Sequence, residues 1–554
     1  MRQLEISSVR MNRRRFLGTA ALTAGAALLR IPGRRAFAAS PAPALPSLVG
    51  PLDTSKLVSA ETLWEWENFM VGLGPRFTGS PQHLAYLDFL ESECQKAGLV
   101  TFHDPTQYFP RWDADYTECF LSILESGGSA TDLEVMSYFP GSGNTSNFPG
   151  GALVAPMVDA GLGLPEDFAA GIVTGSFKGA IAFVTEPVFP MTDALGYPYY
   201  YNDDPDLTMT PITPFNKWSL NILSPQSLVT PTLAVQAGCS GMIIALGATR
   251  TLALGQYISF LAKINGDQAN GAPGLPTLYV DYKTGQYLKS RLSVIGATTK
   301  ARMVLPSKTY PNTGTDEIVA ILPGANGDPH DPSKGENIII ASHTDGTSAS
   351  EENGPLGMLA IAKYFAQIPQ DQRQRSMVFC FATGHFTGYT QDTGWFTAHH
   401  PEILANCAAT LTIEHLGQKS YTDDPKADTY TYDGFPEVGI SYVSQDPAII
   451  ATVSQNYATE NLIRSPVING PGFGVGTAFF LANLPSYAFI TGPNTLYQMD
   501  AANALAGTDP ERMHQEVRTF IRILASWDTL SKQVLSAGKS GVAQAASGVA
   551  NGVP

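Results

Sequence analysis

Apolar residues recur along this chain in two rhythms, one helical and one of short buried runs. Over 60–98 the spacing is helical: Leu84, Leu87, Leu90 and Cys94 share one face, and Gly98 ends the run. This predicts two helices around the loop Gly74-Pro75-Arg76-Phe77-Thr78-Gly79-Ser80. Over 117–156 the texture changes to short β-like stretches broken by Gly, Ser and Asn. A distinct module is predicted over 150–306, with strands over 180–184, 241–245 and 275–280 and a helix over 282–292. From about Thr315 the order becomes strand, helix, strand. Buried strands are expected over 318–322, 337–341, 377–382, 409–413 and 486–490, with helices over 357–368 and 509–530. Alternation of this kind predicts an α/β fold with a mostly parallel sheet flanked by helices.

Composition bounds the function more than the fold. The 554 residues are enough for several domains, and 44% hydrophobic with 15% charged residues is globular. The net charge is −15, and the first 38 residues hold eight Arg and one Glu, so the remainder is more acidic still. Nucleic acid is an unsuitable partner for such a surface, because phosphate binding needs a basic face.

The segment Asn12-Arg13-Arg14-Arg15-Phe16-Leu17 resembles a twin-arginine export signal. An apolar stretch from Ala20 to Leu29 follows, and Ala36-Phe37-Ala38 offers a small-x-small cleavage site. The stretch is short for a membrane span, so residues 1–38 read as a cleaved signal peptide rather than an anchor, and the mature chain as periplasmic or extracellular. The Gly, Ala and Ser-rich tail 535–554 is expected to be disordered. Five scattered cysteines show no ligand spacing. The stretch Pro187 to Gln226, rich in Tyr, Pro and Asp, reads as a long loop of a kind that can cover a cleft.

The strongest chemical signal is Ser342-His343-Thr344-Asp345-Gly346, directly after an apolar strand. Ligands of α/β sheets collect at the carboxyl ends of strands, and an acid beside an imidazole orients it. Further blocks follow: Glu352-Asn353-Gly354, Thr383-Gly384-His385-Phe386, Ile413-Glu414-His415-Leu416-Gly417, Gly476-Thr477-Ala478-Phe479 and Tyr497-Gln498-Met499-Asp500. No Gly-x-Ser-x-Gly elbow surrounds any serine, which gives a serine hydrolase little support.

In order and spacing these blocks, with Gly74-Pro75-Arg76 and Gly79-Ser80, resemble the M28-family zinc peptidases of aminopeptidase type. The resemblance implies an α/β domain over 55–149 and 307–534, interrupted at 150–306 by a β-rich insertion similar to the protease-associated (PA) domain. It implies zinc held by His343, Glu352 and Glu414, with Asp345 orienting His343 and His385 in the general-base position. Tyr497, Asp500 and His415 are then expected near the substrate, and His415 is also a possible ligand. Two positions depart from the family: Phe386 stands where a ligand Glu is expected, and Gly476 stands at or beside the position of the last His. Three readings stay open, the first two being hydrolysis of a terminal amide of a peptide or small substrate at a one-zinc site, or a non-catalytic scaffold using the cleft. Non-hydrolytic acid/base chemistry through His385 is the third.

Overall fold

The computed structural model describes residues 50–124, 129–185, 199–201, 225–257, 274–294, 299–331, 333–386, 392–470, 474–492 and 494–538. The expected signal peptide, the end of the tail and most of 187–226 lie outside these.

A nine-stranded sheet forms the larger layer. Its centre is four neighbouring parallel strands, in the order Ser376–Ala382, Asn337–His343, Cys407–Glu414 and Ser486–Thr491. Antiparallel strands flank them: Ile318–Leu322 and then Val100–His103 on one side, Gly439–Val443 on the other. Every residue of Asn337–His343 and Ser376–Ala382 is buried. Period-two alternation divides them between two cores: Ile338 and Ile340 face one, Ile339 and Ala341 the other. A continuous apolar run therefore marks a strand covered on both faces. The first core is closed by the helices Ala60–Gly72, Pro81–Lys96, Gly354–Ala366, Pro447–Glu460 and Pro510–Thr529. The second is closed by the shorter helices Thr393–His399, Pro401–Asn406 and Thr477–Leu481.

The two N-terminal helices form where the spacing predicts, with Leu87, Leu90 and Cys94 buried, but Leu84 lies off that face and is exposed. Each begins on a serine whose hydroxyl accepts from a backbone N–H of the first turn, Ser59 from Thr62 and Ser80 from His83. At the other end of the chain, a short helix Lys532–Leu535 buries Leu535, and Gly538 N donates to Asp446 Oδ1 at 2.9 Å.

An eight-stranded second sheet begins earlier than the sequence boundary at 150. Phe120–Leu124 pairs with Lys300–Val304, Ala130–Leu133 with Phe120–Leu124, and Ser137–Tyr138 with Thr277–Val280. The short β-like texture over 117–156 marks these strands, while their membership of this sheet is set by cross-strand pairing at long sequence separation. Within the sheet, Leu153–Asp159, Ile181–Thr185, Gly241–Ala245 and Thr277–Val280 run parallel. A two-stranded ribbon, Gln107–Ala114 with Ser307–Thr315, carries the chain out and back between the sheets. Inside the expected long loop, Tyr199–Tyr201 is a strand, pairing antiparallel with Val467–Asn469 at the edge of the larger sheet.

The second unit also reaches the carboxyl edge of the larger sheet. Tyr257 N donates to Tyr497 O at 2.8 Å, and Met499 N donates to Gly255 O at 2.7 Å. Gly255 has φ +70°, and a Cβ there would lie 2.8 Å from the Asp500 backbone nitrogen, so only glycine fits this close approach. All five cysteines are free thiols. Among the described residues no helix is long and apolar enough to cross a membrane.

Candidate metal centre

The candidate residues collect where the parallel strands end. His343 closes Asn337–His343, Glu414 closes Cys407–Glu414, and His385 follows the end of Ser376–Ala382. His343 Nδ1 lies 2.8 Å from the Asp345 carbonyl oxygen. A carbonyl can only accept, so Nδ1 carries the proton and the neutral ring presents the lone pair of Nε2. The same holds for His415, whose Nδ1 lies 2.5 Å from Thr491 O. Both Nε2 atoms are buried without a hydrogen-bond partner among the described residues.

A third side chain completes the group. Glu351 is buried, with Oε2 3.3 Å from His415 Nε2 and Oε1 3.6 Å from His385 Nε2 and 4.0 Å from His343 Nε2. Glu414 Oε2 lies 3.8 Å from His343 Nε2, and its Oε1 accepts from Val475 N at 3.0 Å. Gly474, at φ +66°, gives that carboxylate its room, because a Cβ there would collide with it. Two groups of three have ligand atoms within 4.8 Å of one another: His343, Glu351 and His415, and His343, His385 and Glu414. Two orphaned imidazole nitrogens beside buried carboxylates fit zinc's preference for N and O donors. Backbone carbonyls on the far nitrogens are the outer-shell bonds that metal-ligating histidines use.

Burial governs the charge states. It pushes His343 down to about 3, with the neighbouring His385 acting in the same direction. His415 is likewise lowered by burial. Glu414 is pushed up to about 8 by burial; His415 opposes this, while Asp392 and Glu351 add to it. His385 is the more open ring, with its side chain 17% exposed, and its Nδ1 lies 2.7 Å from Asp392 Oδ2. Asp392 has φ 54° and ψ −137°, a strained backbone for a residue with a Cβ, and it holds its carboxylate against His385.

The other sequence candidates fall as follows. Glu352 does not join the group: its carboxylate turns away and forms a buried ion pair with Arg76. Its neighbour Glu351 faces the imidazoles instead. The shift by one position arises because two adjacent acids in an irregular turn look alike in sequence, and only the buried guanidinium tells them apart. Asp345 supports the site rather than entering it. Its carboxylate accepts from Thr78 Oγ1 at 2.5 Å, Phe386 N at 2.9 Å and His385 N at 3.2 Å. Burial alone would raise its pKa, but the adjacent histidines and the Thr78 bond bring it below the usual value.

His415 faces the group although Glu414 does too. Strand alternation forbids this within a strand, but the strand ends at Glu414, and His415 adopts φ 60°, which swings its ring back. Tyr497 is buried beside the site; burial raises its pKa strongly, with Glu351 and Glu414 adding to the effect. Asp500 does not face the site: its side chain caps the helix Ala501–Ala506 by accepting from Asn503 N at 2.9 Å. Phe386 is buried against Tyr257 and Tyr497, with ring centroids 6.2 and 5.9 Å away. Gly476 cannot carry a ligand, because even a Cβ would lie 2.6 Å from that of Ala488.

Sequence reading missed Glu351 and Asp392. The Glu351-Glu352 doublet was a visible signal for the first; the second stands in an ordinary Gln-Asp-Thr-Gly turn with no distinguishing pattern.

No family model matches the sequence, and no curated protein matches it. Solved structures match along most of its length. A peptidase M28 precursor from Shewanella amazonensis SB2B aligns with a TM-score of 0.58 at 16% identity, over 85% of this chain and 96% of that one. A zinc aminopeptidase from Bacillus subtilis aligns at 0.53 and 15% identity, over 84% and 94% of the two chains. An aminopeptidase from Aneurinibacillus sp. strain AM-1 gives 0.51 at 14%, over 85% and 94%. With its mixed sheet, parallel at the centre, and its helical layers, this chain has the fold of the M28-type zinc aminopeptidases.

Proposed function

We propose that this protein is an exported hydrolase that cleaves a terminal amide of a peptide or related small substrate at a site for one zinc ion. The observation that carries the reading is the pair of buried Nε2 atoms of His343 and His415, each fixed by a carbonyl on its far side and facing the Glu351 carboxylate. The fold neighbours named as zinc aminopeptidases support it. So does the Arg-rich N-terminal segment for export, and the second unit is read with it as a PA-like module.

One ion is favoured over two. Both candidate groups share His343, whose Nδ1 is committed to Asp345 O, so the single remaining nitrogen serves either group but not both. We assign His343, Glu351 and His415 as the ligands, with Glu414 flanking them. Zinc bound there supplies a Lewis acid that polarises an amide carbonyl and makes a water more acidic. The protein's own work is proton handling and enclosure. Asp392 holds the Nδ1 proton of His385, so the lone pair of that ring lies on Nε2, 3.6 Å from Glu351 Oε1, as the atom that accepts a proton. Phe386 and Tyr497 form an aromatic wall that excludes water.

The reading is tested on purified protein by elemental analysis and by turnover of free and N-blocked aminoacyl amides. About one zinc per chain with turnover of one amide class is expected. Protein without zinc and without turnover sinks the enzyme and leaves the scaffold reading.

A further inference from the structure

Resting on that reading, we propose that Arg76 is a positioning residue that selects Glu351, and not its neighbour Glu352, as the acid facing the metal. Arg76 comes from the N-terminal loop, far in sequence from the site, and its side chain is only 1% exposed. Its backbone is clasped to the metal-site turn, with Arg76 N donating to Gly346 O at 2.8 Å and Gly346 N to Arg76 O at 3.0 Å. Its guanidinium then grips the turn twice. Nη2 donates to Ser348 O at 2.5 Å and ion-pairs with the Glu352 carboxylate. Nη1 is anchored behind, on the carbonyls of Met70 at 2.7 Å and Gly74 at 2.5 Å.

The grip reaches Glu351 through Ser348. The Ser348 hydroxyl oxygen accepts from Glu351 N at 3.3 Å and from Ser350 N at 3.0 Å, and it donates to Leu496 O at 2.9 Å. Glu352 is held on its other side as well, where Tyr86 Oη donates to its backbone carbonyl at 3.1 Å. Consecutive residues of a turn send their side chains in different directions. Fixing the Glu352 carboxylate on a buried cation therefore leaves Glu351 as the acid that points at the imidazoles. A planar fork with several donors can hold a carboxylate and three carbonyls together, which a single ammonium cannot.

The test measures zinc affinity by chelator competition and the visible spectrum of the cobalt-loaded protein, for wild type, Arg76→Met and Arg76→Lys. Each variant is first checked for native circular dichroism. We expect Arg76→Met to lose roughly 10–100-fold in zinc affinity, the range for outer-shell groups that orient a ligand. Arg76→Lys should recover part of the loss, and both variants should shift the cobalt spectrum. If Arg76→Met does not fold, Arg76→Lys carries the test, with roughly a tenfold loss expected because its ammonium cannot reproduce the fork. Folded variants with wild-type zinc affinity and an unchanged cobalt spectrum overturn this inference alone. A wild type that binds no zinc overturns the functional reading as well.

Discussion

The imidazole of His385 lies flat on that of His343, with ring centroids 4.0 Å apart and planes 17° from parallel. Two stacked imidazoles cannot both carry charge cheaply, and the buried member is the one kept neutral. That leaves His343 as a lone-pair donor at neutral pH, and in the proposed reading the less buried His385 is the ring that exchanges protons. The division of labour has direct consequences for each variant.

His343→Ala and His415→Ala should each remove bound zinc and activity together. The metal content of purified protein and turnover of an aminoacyl amide check this. Retention of a full equivalent of zinc in His343→Ala would exclude it as a ligand.

Asp392→Asn should leave zinc in place and lower kcat by roughly 100-fold or more, because the amide no longer holds the His385 tautomer that frees Nε2. His385→Ala should behave alike. Loss of zinc from His385→Ala would instead assign the ion to the group of His343, His385 and Glu414.

The doublet Glu351-Glu352 separates by metal and by stability. Glu351→Gln should weaken zinc at least about tenfold, since an amide is a poor replacement for a charged ligand. Glu352→Gln should keep zinc within a few-fold and lower unfolding free energy by up to about 3 kcal/mol, as Arg76 loses its buried counter-charge. Urea titrations read the second effect, and equal zinc loss in both variants would contradict the assignment.

His83 supplies a stability effect with a definite sign. Its ring is fully buried, with Nδ1 accepting from Gly79 N at 3.0 Å and Nε2 donating to Thr344 Oγ1 at 2.8 Å. Burial pushes its pKa from an ordinary 6.5 down to about 4. A folded pKa below the unfolded one means the stability is fully present above about 6.5 and is lost as pH falls towards 4, amounting to about 3 kcal/mol. Urea unfolding at pH 7.5 and 4.5 should show the loss, and His83→Gln should flatten that part of the profile.

Much of this was legible in the linear chain. The strands over 337–341 and 377–382 are written as unbroken apolar runs, and the helix over 282–292 matches its spacing, because burial on one or both faces imposes a period on the residues themselves. The convergence of His343, His385 and Glu414 could be read as well, because each sits at or just beyond the end of a strand whose position is known.

Only the tertiary structure could decide between Glu351 and Glu352, turn His415 back beyond the end of its strand, assign Asp500 to a helix cap and bring Asp392 to His385. Those outcomes depend on backbone angles in turns and on partners such as Arg76, hundreds of residues away. A turn has no repeating period, so its side-chain directions leave no pattern in the sequence, and the contacts that set them exist only after the sheet has formed.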